Sequence, residues 1–229
     1  MNVLNELPFA MATCRALEAC SEEWVERGGR GVALQVDFTD GGEVRFSPGG
    51  LCFPNYWTFA RALSEGFAWP RILPLLMKPV TTFRSIRTLC ALSDAFQDAN
   101  DLTIKAALGL RAGLAAAEAF ARFEPKCVEL LARENPGTVV FTVEGMDLVA
   151  WFRIQPDAKY SSGRGEPPEK PAVRVCFRDP DVVCRAVDGK LDSLAAPVLG
   201  EVEVSGRIPL AEVVGYVADM AGNNLVFAR

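Results

Sequence analysis

The 229-residue chain contains no histidine. That absence removes the Ser-His and Cys-His catalytic pairs and the usual zinc sites, each of which needs an imidazole as base or ligand. Nor is there a run of about 18 or more apolar residues, the length a membrane-crossing helix requires, so the sequence predicts no bilayer span. Cysteine is present but unpatterned: the seven, at 14, 20, 52, 90, 127, 176 and 184, are odd in number and show no Cys-x-x-Cys spacing. They read as reduced, mostly buried thiols of a cytoplasmic protein. Basic residues are scarce at the start, with none before Arg15 and Glu6 already acidic, whereas a secretory leader opens on positive charge and a long apolar centre. Positive charge is also outnumbered over the whole chain. A net charge of −5 and a pI near 5.0 argue against a nucleic-acid binder, which displaces counterions with a basic surface; they leave room for a local basic patch.

What is present in quantity is apolar surface, at 50% hydrophobic residues, enough for a substantial core in one elaborated domain or two small ones. The clearest pattern lies in 172 to 221. Val173, Val175 and Phe177 alternate with Arg174, Cys176 and Arg178, as in a strand with one dry face. Asp179-Pro180 then predicts a helix entrance, because proline at the first position has no amide proton to leave unpaired. Val182, Val183, Ala186 and Val187 supply its buried stripe, and Gly189 its left-handed stop. Val202 and Val204 alternate with Glu201, Glu203 and Ser205 in a second strand, and Pro209 opens a last helix with Leu210, Val213, Val214 and Val217 on one side.

This stretch resembles the sterol carrier protein type 2 domain, a family of intracellular lipid-binding and lipid-transfer domains. The resemblance rests on the strand Ala172 to Phe177, the helix after Asp179-Pro180-Asp181, the loop Asp188-Gly189-Lys190-Leu191-Asp192, the Gly-led strand ending Ser205-Gly206 and the final helix. Upstream, Thr138 to Val143 and Leu148 to Ile154 look like the family's opening hairpin, which extends the likeness to roughly 102–222. It implies an α+β fold: a mainly antiparallel sheet with one apolar face covered by helices. The lining of its cavity would draw on Phe141, Val143, Val175, Phe177, Val202, Val204, Leu210, Val213, Val214 and Val217, with solid core as the competing reading. The chain ends in Phe227-Ala228-Arg229, without the peroxisomal Ser-Lys-Leu address, and the resemblance names no ligand.

Residues 1–101 lie outside the likeness and are expected to form an N-terminal helical extension containing a β-hairpin, packed on a main domain of 102–229. Leu4, Leu7, Met11, Leu17 and Trp24 fall near one side of an amphipathic helix over 3–27, and Val32–Phe38 and Glu43–Phe46 flank the turn Thr39-Asp40-Gly41-Gly42. From 53 to 97, four prolines predict several short helices at angles. Between Trp69 and Cys90 the charges are Arg71, Lys78, Arg84 and Arg87, with no acidic residue. Beside Trp57, Phe67, Trp69, Leu73, Leu75, Leu76 and Met77 they suit either a lid in transient contact with a membrane surface through 69–90, or a covering helical layer with solvated arginines. Asp101 predicts the cap of a long helix through about Phe123. Residues 156–171, with three prolines and few apolar groups, predict a mobile surface loop.

Catalytic candidates without histidine are Asp147, Glu201, Glu203, Tyr160 and Tyr216, all at turns, solvated edges or helix ends, and Cys184, whose position suggests packing. No catalytic or metal-binding residue and no cofactor is therefore assigned. The expected function is non-catalytic binding or transfer of a lipid or other apolar small molecule, in which each buried methylene contributes about 0.8 kcal/mol. An interaction or dimerisation module, as a homodimer or beside an enzyme partner, is the alternative, and a small cavity hydrolase or isomerase the third.

Overall fold

The computed structural model describes residues 3–65, 68–97 and 101–225, with side chains from residue 6; Phe67, 226–229 and the side chain of Leu4 lie outside what is described. The N-terminal part holds α1 (Val3–Glu26), β1 (Gln35–Phe38), β2 (Val44–Ser47), β3 (Cys52–Phe53), α2 (Tyr56–Glu65), α3 (Ile72–Met77) and α4 (Pro79–Gln97). Then follow α5 (Leu102–Phe123), α6 (Pro125–Ala132), β4 (Gly137–Val143), β5 (Val149–Gln155), β6 (Lys159–Arg164), β7 (Val173–Phe177), α7 (Pro180–Val187), α8 (Ala195–Val198), β8 (Val202–Gly206) and α9 (Ile208–Gly222). The class is α+β.

The larger sheet has the order β6-β5-β4-β7-β8. All its neighbours run antiparallel except β4 and β7, which are parallel, with Phe141 opposite Val175 and Val143 opposite Phe177. Register brings Ala150, Phe152 and Ile154 of β5 beside Val139, Phe141 and Val143 of β4 on one face, and α5, α7 and α9 cover that face. The predicted cap is in place: Asp101 accepts from the Ile104 amide at 3.1 Å. So is its counterpart at α7, where Asp179 accepts from Val182 at 3.0 Å and Pro180 takes the first helical position. The hairpin expected near 39–42 joins β1 to β2, and the short β3 completes a three-stranded sheet.

Three readings need correction. Residues 156–171 are not one loop, because 159–164 form β6 and pair along the length of β5. The remainder is a strap: Glu169 pairs with Arg153 and Glu166 lies 4.0 Å from Arg174, so it crosses the outer sheet face that these arginines occupy. The second correction concerns α1, whose surface is buried on more than one side. Ala12, Ala16 and Cys20 join the core with α5, while Ala10, Cys14 and Leu17 join a second cluster with Leu34, Val36, Val44, Phe46, Phe53 and Phe59. Small side chains let a helix sit between two layers. Third, 53–97 does hold several helices, α2, α3 and α4, but α4 is not short: it runs for 19 residues, since Pro79 stands at its start, where proline is tolerated.

Candidate functional site

Two connected spaces open on the helical side of the sheet. The first is a cleft of about 920 Å³ whose wall includes Leu63, Leu89, Leu92 and Phe96 on one side and Lys105, Cys184, Val187 and Leu225 on the other. It therefore lies between α2 and α4 and the ends of α5, α7 and α9. The second is an apolar slot of about 140 Å³ between α5 and α9, floored by Phe141 and Phe177. Phe96, Val187, Gly222 and Leu225 line both, so the slot is a side chamber of the cleft. The cleft is within the range of small-molecule sites; the slot is near the size of a dry cavity that accepts one benzene ring.

Glycines line much of the slot. Gly113 on α5 and Gly215 and Gly222 on α9 all line it, and a Cβ built on any of them meets no atom within 4 Å among the described residues. A glycine inside a helix costs about 1 kcal/mol relative to alanine, and α5 is otherwise rich in alanine. No neighbour requires the bare backbone at 113. Gly109 differs: a Cβ there would come within 3.0 Å of Val187, so its bareness serves the packing of α7.

Of the ten residues expected to line a cavity, Phe141 and Phe177 do so, their rings stacked with centroids 6.5 Å apart. Val143, Val175, Val202, Leu210, Val214 and Val217 are buried in the main core, and Val204 and Val213 pack against it partly exposed. The slot-lining glycines leave no mark in apolar periodicity because they have no side chain. The signal available was glycine at mid-helix positions in a sequence where alanine is plentiful.

Cleft chemistry is weak in reactive groups. Burial pushes the Cys184 thiol pKa up, Lys105 only partly opposing it and Asp188 and Asp181 reinforcing it, so the sulfur stays protonated at neutral pH. Glu201 is bound by Arg185 at 2.7 Å, with Arg178 at 3.9 Å. Tyr160 is buried against Phe152 and its pKa is raised by burial; Tyr216 is about half exposed. Asp147, Glu201, Glu203, Tyr160 and Tyr216 are absent from the walls of both spaces. Among the described residues no three His, Cys, Asp or Glu side chains are placed to hold a metal, and no helix is long and apolar enough to cross a membrane.

Sheet, helical cover and slot make an α+β fold whose concavity lies on the covered face. The chain is similar to sterol carrier protein 2 domains over about half its length. A UbiJ-SCP2 ubiquinone synthesis protein matches at 18% identity and TM-score 0.39, covering 55% of this chain and 95% of its own. Sterol carrier protein 2 from Yarrowia lipolytica, in its apo form, matches at 17% and 0.39, covering 56% and 98%. The inverting sec-alkylsulfatase Pisa1 from Pseudomonas sp. matches at 16% and 0.29, covering 57% of this chain and 27% of the enzyme. No family model matches the sequence, and no curated protein matches it.

Proposed function

We propose that the protein binds, without transforming it, an apolar small molecule such as a single-chain lipid, its tail in the slot between α5 and α9 and its polar end in the cleft. The observation that carries this is the vacancy at Gly113: a helical position gives up about 1 kcal/mol of propensity and opens onto an apolar space that no described side chain fills. Lys105 and Lys190 stand in the wider cleft wall, although Lys190 is already paired with Asp188 at 2.9 Å. An acidic head would therefore turn towards Lys105. The protonated Cys184 and the dispersed carboxylates support binding over catalysis. Seven free thiols, five of them buried, support a reducing compartment, the cytoplasm.

The test is Gly113→Leu. The added side chain occupies the slot while improving helix propensity, so the variant should melt at or above the wild-type temperature and lose uptake of a fluorescent fatty acid. Native mass spectrometry of both proteins, fresh from purification, should show a lipid adduct on the wild type alone. Equal uptake by the variant would remove the slot from the binding path. A second reading, an interaction module, is favoured by Leu194, Val198 and Leu199 around α8, which are 84%, 87% and 65% exposed; a concentration-dependent dimer, abolished by Val198→Glu, would support it.

A further inference from the structure

The helix α3 and the first half of α4 are built inside out. In α4 the buried positions include Thr82, Ser85 and Thr88, which serve as internal hydrogen-bonding posts: Thr82 accepts from the Gly50 amide at 2.8 Å, Ser85 donates to the Pro48 carbonyl at 2.6 Å, and Thr88 accepts from the Val32 amide at 2.9 Å. In the first half of α4 the large apolar residues face outward instead, whereas Leu92 further along is buried. Val80 and Phe83 are 65% and 66% exposed, and Ile86 is also exposed. In α3 no residue is buried, and Leu73, Leu76 and Met77 are 73%, 67% and 76% exposed. With Trp69 and Ile72, also exposed, these residues place a dense group of apolar side chains against water, where isolated ones would be unremarkable.

The charges on the same surface have one sign. From Trp69 to Cys90 there is no acidic residue, in a chain whose net charge is −5. Arg71 is paired with Glu43. Among the described residues Lys78, Arg84 and Arg87 form no ion pair, and all three are exposed. Phe83, Arg84 and Arg87 fall within one turn of each other, so cation and aromatic reach outward together. Apolar side chains interleaved with unpaired cations match the boundary of an anionic bilayer, where the chains enter the acyl edge and the cations meet phosphates.

We propose that the α3–α4 surface docks the protein on anionic phospholipid membranes. The same α4 continues as a wall of the cleft through Leu89, Leu92, Ser93, Phe96 and Gln97. Docking thus sets the cleft beside the bilayer on one rigid helix, a short path for an apolar ligand. The surface and the slot share no tested residue, so each can fail alone.

The experiment is flotation of the full-length protein with vesicles of phosphatidylcholine alone and of phosphatidylcholine mixed with phosphatidylglycerol in equal parts. Wild type should float with the mixed vesicles and be released by about 0.5 M salt, which shortens the screening length to a few ångströms. Lys78→Gln/Arg84→Gln/Arg87→Gln should weaken binding by roughly 100-fold, at about fivefold per cation. Leu73→Ser/Met77→Ser/Phe83→Ser should abolish flotation. Both variants should keep the wild-type melting temperature and fatty-acid uptake, because the replaced groups are exposed and outside the cleft wall. Wild type that ignores mixed vesicles, or variants that float as well as wild type, would overturn the proposal. So would a stable dimer that Phe83→Ser dissociates, since the surface would then belong to a second copy.

Discussion

Glu23 is almost fully buried, at 1% exposure, and faces arginines from three directions. Arg27 donates to it at 2.6 Å, Arg164 lies at 3.6 Å, and Arg111, itself 5% exposed, at 4.0 Å. Together they tie α1 to α5 and to the edge strand β6. The pairing is incomplete, since Glu23 Oε2 and Arg111 Nε and Nη1 are buried without hydrogen-bond partners. A buried ion pair of this kind adds little net stability, yet losing one member strands the other in a poor dielectric. Glu23→Ala should therefore cost about 3–5 kcal/mol, while Glu23→Leu/Arg111→Met should unfold near the wild-type urea midpoint. Losses that simply add, with the double variant costing the sum of Glu23→Leu and Arg111→Met made singly, would show that the charges do not interact. Nothing in the linear sequence marked this site: Glu23 sits among the charges at the end of α1, where a solvated face is the ordinary expectation. Arg111 is no stronger a clue: α5 also carries Lys105 and Arg122, and the partner of Arg111 lies 88 positions away.

Among the elements, those read correctly carry their signals locally. Alternating valines and phenylalanines in β4 and β7, and Ala150, Phe152 and Ile154 in β5, reflect a face pressed against helices, and Asp-Pro marks α7 because the cap chemistry is contained in a few residues. The strand β6 was missed for the opposite reason. Its sequence, Lys-Tyr-Ser-Ser-Gly-Arg, offers little apolar alternation, because α5 and α1 cover it with carboxylates: Glu118 accepts from the Ser162 amide at 3.0 Å and its hydroxyl at 3.2 Å, and Arg164 pairs with Glu26. A polar inner face is legible only with the partner in view. The α7 cap allows a test at this scale. Accepting the Val182 amide, with help from Arg178, holds the Asp179 carboxyl below its ordinary pKa of 3.8. Its contribution is therefore present above that value and is lost as pH falls through the depressed native pKa. Asp179→Ala should cost about 1 kcal/mol at neutral pH, with the difference shrinking in acid. Asp179→Asn keeps an acceptor and should retain most of the stability without the acid dependence. Chemical denaturation between neutral pH and pH 3 measures both; a cost for Asp179→Ala that is constant across that range would assign the stabilisation to something other than the charged cap.

At the scale of the molecule, the placing of α1 decides how the two parts of the chain depend on each other. It contributes Ala12, Ala16 and Cys20 to the core built on α5, and Phe9 stacks edge-on against Phe120 with ring centroids 5.8 Å apart. Its other side closes the cluster around Phe46, Phe53 and Phe59. The sequence suggests a boundary at 101–102, and the packing of α1 on α5 crosses it. A fragment of 102–229 would expose Ala112, Ala116 and Ala119 together with Phe120, which are buried in the intact chain, and would leave Arg111 without Glu23. We propose that the fragment keeps the sheet, whose strands and their helices α5, α7 and α9 all lie within it, but melts with lower cooperativity than the whole protein. The expected signature is far-ultraviolet circular dichroism close to that calculated for the intact segment, with increased binding of a hydrophobic dye and a lower urea midpoint. A fragment as stable as the full chain, with no gain in dye binding, would make 102–229 an autonomous domain and reduce α1 to a peripheral cover. In that case the cleft between α4 and α7 would be an interface between separable parts, and ligand uptake by the fragment would show whether the slot alone suffices.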